Sequence, residues 1–258
     1  MNSQAGRTIV ITGGTGGIGY QSALGLAKTG ARLLITGRSR ERGEAAVQRI
    51  IDETGHDGVE LVVGDVSSIE GIDALAQALL ERVERIDVLV NNAGYLGRAL
   101  EYSDDGVEMH FAVNVLAPWR LTWALLPALT AASGARVLNI TGGNKPAALD
   151  PDDLQAEKGF RGLMTYAHSK SAVEGLSMAL AELSGKGSFW ASPRTKVTRL
   201  SRPASRIRFS NNGCWSGSMS RPMISNSERL ASSIASIPDP HPMSMQTPFR
   251  IPPSSVSY

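Results

Sequence analysis

Two side chains four residues apart, Tyr166 and Lys170, have the chemistry of an acid-base pair. Because residues at i and i+4 share one face of a helix, the phenol and the ammonium can point into the same cleft. A phenol is a weak acid with a pKa of about 10, and a neighbouring ammonium favours its ionised form. Such a pair could give or take the proton of an alcohol. Tyr-x-x-x-Lys pairs are also common on exposed helices, so the elements around this one decide its meaning.

A glycine-rich turn near the N-terminus follows a β-branched apolar run at residues 7–11. Its glycines have the spacing Gly-x-x-x-Gly-x-Gly, which allows a tight strand-to-helix turn and the approach of a pyrophosphate to backbone N–H groups. Glycine clusters also form ordinary loops, so the turn alone is weak evidence. The pattern predicts a dinucleotide site whose contacts in this segment are Thr12, Gly13, Thr15, Gly17, Ile18 and Gly19.

Apolar strand patterns alternate with amphipathic helix patterns from the turn onward, as in one βαβ unit after another. This alternation predicts a single α/β domain with a Rossmann-type, doubly wound parallel sheet. Ligands bind such sheets at the carboxyl ends of the strands, where this sequence places small or polar residues. The predicted contacts at these ends are Asp65 and Val66, then Asn92, Ala93 and Gly94, and finally Thr141.

The end of the second predicted strand reads Gly37-Arg38-Ser39-Arg40 and contains no acid. In a dinucleotide fold an acid at this place accepts from a free ribose 2′-OH, whereas a basic residue accommodates a 2′-phosphate. Arg38 therefore indicates NADP(H) as the preferred cofactor, with NAD(H) as the alternative. The residue could also be an ordinary exposed loop arginine.

One polar residue, Asn114, interrupts an apolar pattern that predicts a long helix from Met109 to Leu129. A side chain of this type can simply bond to the backbone of its own helix. Its place in the chain, between the glycine-rich turn and the Tyr166 helix, also makes it a candidate site residue.

Taken together, these residues resemble the short-chain dehydrogenase/reductase family. The matching motifs, in family order, are Thr12-Gly13-x-x-x-Gly17-x-Gly19, Asp65, Asn91-Asn92-Ala93-Gly94, Asn114 and Tyr166-x-x-x-Lys170. The resemblance implies an NAD(P)-dependent oxidoreductase acting on an alcohol or a carbonyl. It also implies that Tyr166 is the acid/base, that Lys170 binds the nicotinamide ribose and favours the ionised tyrosine, and that the Asn114 position holds a relay water.

The same resemblance implies further roles and partners. Asp65 would meet the adenine, residues 92–94 would line the cofactor cleft, and the protein would form a homodimer or homotetramer. The stretch Gln155-Ala-Glu-Lys158 and the long gap before Tyr166 are similar to the retinol-dehydrogenase-like branch. The expected substrate is a small or hydrophobic alcohol or carbonyl compound.

The sequence departs from the family pattern after the fifth predicted strand. The family serine that binds the substrate oxygen falls on Gly142, which has no hydroxyl, while Thr141 offers one a position earlier. Because successive strand residues face opposite sides, Thr141 can act in its place only if the strand end twists or bulges.

A larger departure begins near residue 186. Residues 1–183 hold 22 of the 24 acidic and 16 of the 26 basic residues, whereas the remaining 75 residues hold 18 serines and 9 of the 13 prolines. No Pro-Gly pair follows Lys170, although the family closes on nicotinamide with such a loop.

We therefore divide the chain into a Rossmann domain at 1–186 and a Ser/Pro/Arg-rich tail at 187–258. The tail is predicted to lack the family's last strands and to be largely disordered. One hypothesis is that the reading frame shifts near codon 186. Translating the gene in the other two frames tests it.

Composition excludes several other function classes. The only cysteine is Cys214, so neither a disulfide framework nor a cysteine metal site is expected, and no metal is predicted. No apolar run is long enough for a membrane span, which together with the N-terminal sequence predicts a soluble, cytoplasmic protein. The basic tail is better explained as solvated coil than as a nucleic-acid site. A degenerate relative that binds nucleotide without catalysis is the alternative to an active enzyme, and a tail that serves as an interaction module is a weaker one.

Overall fold

The computed structural model describes residues 3–141, 150, 152–183, 189–192, 195–201 and 206–208, with side-chain surroundings up to residue 177. Five parallel strands form the centre of the sheet in the order β3-β2-β1-β4-β5. They are β1 (Thr8–Ile11), β2 (Arg32–Gly37), β3 (Val59–Val63), β4 (Val88–Asn91) and β5 (Arg136–Ile140). This order, with the crossover between β3 and β4, is that of a dinucleotide-binding fold and confirms the predicted Rossmann-type sheet.

Helices connect the strands and cover both faces of the sheet. They are α1 (Gly17–Ala27), α2 (Arg40–Thr54), α3 (Ile69–Leu80), α4 (Met109–Phe111), a π segment (Ala112–Leu116), α5 (Ala117–Ala124), α6 (Leu126–Ala131) and α7 (Gly162–Leu183). Local sequence fixes several of the ends: the Ser39 and Ser68 hydroxyls accept from N–H groups of the first turns of α2 and α3. Gly55 ends α2 with a φ of 68°, a value that favours glycine.

Alternate residues of each strand enter two separate cores. Val10 and Leu34 pack with α3, α5 and α6 on one face, whereas Ile9 and Leu33 pack with α1 and α2 on the other. All four side chains are almost completely buried. Near-continuous apolar strands are what a parallel sheet covered on both faces requires.

The predicted long helix over residues 109–129 is helical except at Leu125, but it is not one continuous α-helix. A π segment spans Ala112–Leu116, and α5 ends before Leu125. Pro118 lies in the first turn of α5 and Pro127 in the first turn of α6. Proline has no N–H to donate to the carbonyl four residues earlier, and its ring crowds that carbonyl. The interruption therefore lies at Asn114.

The sheet continues past β5 with three short antiparallel strands, β6 (Phe189–Ser192), β7 (Thr195–Ser201) and β8 (Arg206–Arg208). Strand β7 pairs with β5, so that Asn139 lies opposite Lys196. The tail was expected to lack the family's last strands and to be largely disordered, and nothing in the sequence indicated these three short segments. No parallel strand follows β5 in the described part of the tail, in agreement with the predicted loss of the family's last strands. The domain division at residue 186 stays a prediction.

Candidate functional site

The glycine turn between β1 and α1 has the geometry of an anion site. Gly13 and Gly17 have φ values of +65° and +52°, which L side chains rarely adopt. A Cβ added to Gly19 would lie 2.3 Å from the carbonyl oxygen of Gly13. Helix α1 starts without a side-chain cap or an acidic residue in its first turn, so its N–H groups are available to a phosphate. The turn therefore fits the pyrophosphate of a dinucleotide.

Thr12 joins this turn to the loop after β4. Its side chain is almost completely buried, and its Oγ1 accepts from the N–H groups of Asn92 and Ala93, both at 3.0 Å. The Asn92 amide in turn donates to the carbonyls of Thr12 and Gly13, at 2.9 and 3.1 Å. Among the predicted cofactor contacts, Thr12 is thus placed to position the cleft rather than to face it.

A cavity of about 390 Å³ opens between the glycine turn and α7. Its lining comprises Gly13, Gly16, Ile18, Asn92, Ala93, Gly94, Tyr95, Leu96, Ile140, Thr141, Tyr166 and Lys170. The structure therefore brings together residues that lie more than 150 positions apart in the sequence. Sequence reasoning missed Gly16, Tyr95, Leu96 and Ile140, although Gly16, Tyr95 and Ile140 directly adjoin residues that it identified.

The remaining predicted cofactor contacts also lie outside that lining: Thr15, Gly17 and Gly19 in the glycine turn, and Arg38, Asp65 and Val66 at the ends of β2 and β3. The N–H of Gly14 donates to Thr36 at 3.0 Å, which joins the glycine turn to the end of β2. A Cβ on Gly37 would lie 2.7 Å from the Thr15 hydroxyl, so Thr15 covers the residue before Arg38. At the end of β3, Asp65 and Val66 are half-buried.

Arg38 and Asp65 differ in whether their charged groups already have hydrogen-bond or ion-pair partners within the protein. Arg38 is exposed and has no ion pair or hydrogen bond among the described residues. By contrast Arg40, two positions later, lies 3.6 Å from the Glu44 carboxylate. One Asp65 oxygen accepts from the N–H of Ser67 at 2.9 Å, which fixes the carboxylate at the end of β3. The unpaired guanidinium of Arg38 fits a 2′-phosphate.

The Asn114 side chain is buried, and both its amide oxygen and its amide nitrogen form hydrogen bonds within the protein. Its Oδ1 accepts from the Tyr95 N–H at 2.7 Å, and its Nδ2 donates to the Tyr95 carbonyl and to the Ser169 hydroxyl, both at 2.9 Å. Pro118, however, has no N–H for the Asn114 carbonyl. If this position binds a relay water, as the resemblance implies, the carbonyl is the better group for it.

Tyr166 and Lys170 meet in the cavity as the sequence predicts. The Lys170 Nζ lies 5.7 Å from the centroid of the Tyr166 ring and donates to the carbonyl of Ile140 at 3.0 Å. Burial lowers the pKa of Lys170 to about 8. Thr141, which is also buried, lines the same cavity, so the end of β5 does direct this residue toward Tyr166. Gly142 lies outside the described residues.

Buried polar side chains fix α7 to the sheet. The Asn91 amide donates to Asn139 at 2.8 Å, and the Asn139 amide donates to Ser177 at 2.8 Å. This chain of bonds runs from β4 through β5 to α7. Because buried amides without partners are costly, the network specifies one position of the helix that carries Tyr166 and Lys170.

The lowered pKa of Lys170 predicts a pH dependence of stability. Between about pH 8 and pH 10.5 the folded protein has lost this proton while the unfolded chain retains it, so the free energy of unfolding rises with pH. We expect this group to contribute about 1 kcal/mol per pH unit in that window. Urea unfolding at pH 7.5, 8.5 and 9.5 measures it, with Lys170→Met as the control. An equal slope in the two proteins would contradict the shift.

Sequence reasoning also missed a buried pair next to Tyr95. Glu108 and His110 are both fully buried, with Glu108 Oε1 at 2.6 Å from His110 Nδ1. The signal that could have found them is their place close before Asn114, with Glu108 capping the helical stretch and His110 in its first turn. Burial and the neighbouring Glu101 carboxylate raise the pKa of Tyr95, the second tyrosine of the cavity.

The described residues contain neither a cluster of metal ligands nor a membrane-spanning helix. No group of three or more His, Cys, Asp or Glu side chains in the described part of the chain could hold a metal ion. Within those same residues, the structure contains no helix with the length and apolar character of a membrane span.

Comparisons with known proteins agree with the geometry. Residues 7–187 match the family model described as short chain dehydrogenase. Retinol dehydrogenase 13 of Homo sapiens is 35% identical over 170 residues, which are 65% of this chain and 51% of the relative. The chain thus spans about half the length of that relative.

Solved structures agree as well. The RhlG/NADP active-site complex of Pseudomonas aeruginosa is 34% identical, with a TM-score of 0.57, and the similarity covers 70% of this chain and 68% of that one. A metagenomic short-chain oxidoreductase in complex with NADP is 32% identical with a TM-score of 0.56, covering 69% of this chain and 76% of the other.

Proposed function

Since the chain belongs to the short-chain dehydrogenase family, we propose that it is an NADP(H)-dependent oxidoreductase that interconverts an alcohol and a carbonyl. The observation that carries the proposal is the meeting of Tyr166, Lys170 and Thr141 in one cavity beside the glycine turn. An acid/base, a cation and a hydroxyl are the groups that such a reaction needs at its oxygen atom.

Each side chain has a distinct task in the proposed reaction. Tyr166 gives a proton to the carbonyl oxygen during reduction and takes it from the alcohol during oxidation. The positive charge of Lys170, held by the Ile140 carbonyl, favours the ionised tyrosine. Thr141 supplies a hydrogen bond to the substrate oxygen in place of the family serine. When bound, the nicotinamide supplies or accepts the hydride.

The proposed cofactor is NADP(H), with NAD(H) as the weaker ligand. Its pyrophosphate would lie on the glycine turn and its 2′-phosphate on Arg38. The adenine would lie near Asp65 and Val66, and the nicotinamide ribose near Lys170. The two solved relatives that are complexes with NADP support this assignment.

The proposed substrate is a small or hydrophobic alcohol or carbonyl compound. Ile18 and Leu96 line the cavity and are 70% and 58% exposed. Leu163 and Met164, in the first turn of α7, are also large exposed apolar residues. The names of the similar retinol dehydrogenases support an apolar substrate. Homo-oligomerisation and a cytoplasmic location stay predictions.

A second candidate function is nucleotide binding without turnover. It is favoured by Gly142 at the family's serine position and by the antiparallel strands that follow β5 in place of parallel ones. These departures concern the nicotinamide and substrate side of the site. The phosphate-binding turn is the same in both proposals.

Turnover with a panel of apolar aldehydes and ketones tests the proposal. We expect the purified protein to consume NADPH with at least one of them, and to bind NADPH about 10- to 100-fold more tightly than NADH. A charge-assisted hydrogen bond to the 2′-phosphate accounts for a preference of this size. Absorbance at the reduced nicotinamide band measures turnover, and fluorescence titration measures affinity.

Two arginine variants provide the control for the cofactor. Arg38→Ala should lose most of the NADPH preference while NADH affinity stays unchanged. Arg40→Ala removes a guanidinium that is already paired with Glu44, so this variant should keep the NADPH preference. NADPH binding without turnover of any substrate would favour the second candidate function. Absence of nucleotide binding would refute both.

A further inference from the structure

A buried pair, Glu108 and His110, lies behind the cavity and has no task in the proton transfer. One Glu108 oxygen lies 2.6 Å from His110 Nδ1, and the other accepts from the N–H of Phe111 at 3.0 Å. Neither side chain has measurable contact with solvent. Burying two ionisable groups requires that each has its hydrogen-bond partners. The second ring nitrogen of His110, Nε2, therefore also needs a hydrogen-bond partner.

The backbone of the loop after β4 settles the tautomer of this histidine. The N–H of Gly97 donates to His110 Nε2 at 3.1 Å. A backbone N–H can only donate, so Nε2 carries no proton, and the neutral ring must carry its proton on Nδ1. His110 therefore donates to Glu108 and accepts from Gly97. The carboxylate of Glu108 keeps the imidazole in the form that can hold the loop.

Asn114 holds the same loop at a second point. It bonds both the N–H and the carbonyl of Tyr95, at 2.7 and 2.9 Å. The two residues on either side of Leu96 are thus held by two side chains of one helical stretch. Leu96 lies between them, lines the cavity and is largely exposed. The fixed backbone presents this apolar side chain to the cavity.

The same loop also contacts the helix that carries the acid/base. A Cβ on Gly162 would lie 2.5 Å from the Gly97 carbonyl oxygen, so Gly97 packs directly on the first turn of α7. The His110 ring lies edge-on to Tyr95 and Tyr166, with centroid separations of 5.0 and 6.4 Å. A shift of Gly97 would therefore change the position of Leu96 relative to the Tyr166 hydroxyl.

We propose that Glu108 and His110 are a positioning pair that fixes Leu96 as an apolar wall of the substrate site. Through that wall the pair determines the preference of the enzyme for bulky apolar alcohols and carbonyls over small ones. The inference rests on the proposed function for its substrate, but the hold of His110 on Gly97 does not depend on turnover. Neither residue of the pair touches the reacting atoms.

Two substitutions at position 110 separate the two hydrogen bonds. In His110→Gln the amide oxygen can take the place of Nε2 and accept from Gly97. In His110→Asn the shorter side chain can donate to Glu108 but does not reach Gly97. A merely structural requirement for filling the buried space would affect both variants. The positioning role predicts a defect in the asparagine variant that the glutamine variant largely rescues.

Hydrogen exchange of the full-length protein, without cofactor or substrate, gives the first readout. We expect amide exchange in a peptide covering residues 95–100 to be at least about 10-fold faster in His110→Asn than in the unmodified protein. In His110→Gln it should stay within about threefold. Peptides from β1 and α1 should exchange equally in all three proteins, which controls for global loss of stability.

Kinetics with a matched pair of substrates give the second readout. His110→Asn should raise KM for a bulky apolar aldehyde about 3- to 10-fold, the effect of one lost hydrogen bond, while KM for a small ketone and the Kd of NADPH stay within twofold. Leu96→Ala, at an exposed position that folding does not require, should raise KM for the bulky substrate by a similar factor. The double variant should be no worse than the single ones, because both remove the same wall.

The outcomes keep the inference separate from the proposed function. If exchange at residues 95–100 is unchanged in His110→Asn, the hold on the loop is refuted whether or not the protein is active. If exchange responds but the two substrates are affected equally, or Leu96→Ala has no effect, the role in substrate preference is refuted. If the unmodified protein shows no turnover, the proposed function fails, while the exchange result still tests the contact.

Discussion

Tyr166→Phe lowers the rate of substrate reduction by about 10² to 10⁴-fold, the usual contribution of a positioned general acid. The substitution removes only the hydroxyl, so the ring contact with His110 and the position of α7 are retained. NADPH affinity should change by less than about 10-fold, since at most one hydrogen bond is lost. Single-turnover kinetics under saturating NADPH, together with a fluorescence titration, measure the two quantities.

Tyr95→Phe provides the matched control, because Tyr95 lines the same cavity. Burial and the Glu101 carboxylate raise the pKa of Tyr95, which makes it a poorer acid than an ordinary tyrosine. Lys170 lies over the Tyr166 ring instead. We therefore expect Tyr95→Phe to keep turnover within about 10-fold. Loss of activity in this variant, with Tyr166→Phe active, would reverse the assignment of the acid/base.

Gly19→Ala should weaken NADPH binding by on the order of 100-fold, because the new Cβ forces the phosphate turn apart. That atom would lie 2.3 Å from the Gly13 carbonyl oxygen and 2.5 Å from the Asn92 amide. Both neighbours belong to the cleft itself, so the collision cannot be relieved without moving the turn or the loop after β4. Isothermal titration with NADPH measures the loss of affinity.

Gly25→Ala, in the same helix, is the control for helix composition. Nothing lies within 4 Å of a Cβ added to Gly25. Alanine in a helix interior is about 0.5 to 1 kcal/mol more stable than glycine, so this variant should bind NADPH normally and unfold at a slightly higher temperature. Normal NADPH binding by Gly19→Ala would show that the turn does not hold the pyrophosphate as proposed.

The elements that the sequence predicts best are those with strong local signals. The glycine spacing from Gly13 to Gly19 and the apolar run that precedes it require a strand, a tight turn and a helix whatever surrounds them. Arg38, Asp65 and Asn92 could be placed on one sheet edge, because parallel strands end at the same side. Tyr166 and Lys170 shared a face by helical periodicity alone.

The predictions that differed depended on contacts between distant segments. The helix around Asn114 was expected to be continuous, but Pro118 interrupts it there, and the Asn114 amide bonds to Tyr95, 19 residues earlier in the chain. Thr12 has the residue type of a ligand contact, yet its hydroxyl is used by Asn92 and Ala93, about 80 residues away. No local pattern reveals which partner a polar side chain will take.

By itself the sequence determined the fold class, the glycine turn between β1 and α1, and the shared helical face of Tyr166 and Lys170, because each depends on spacing within one or two elements. Only the tertiary structure decided how the substrate side is built. It brings Thr141 into the cavity with Tyr166, and it uses His110 to hold the loop around Leu96. These arrangements depend on burial and on hydrogen bonds between segments that are distant in the chain, which exist only once the sheet and α7 have packed together.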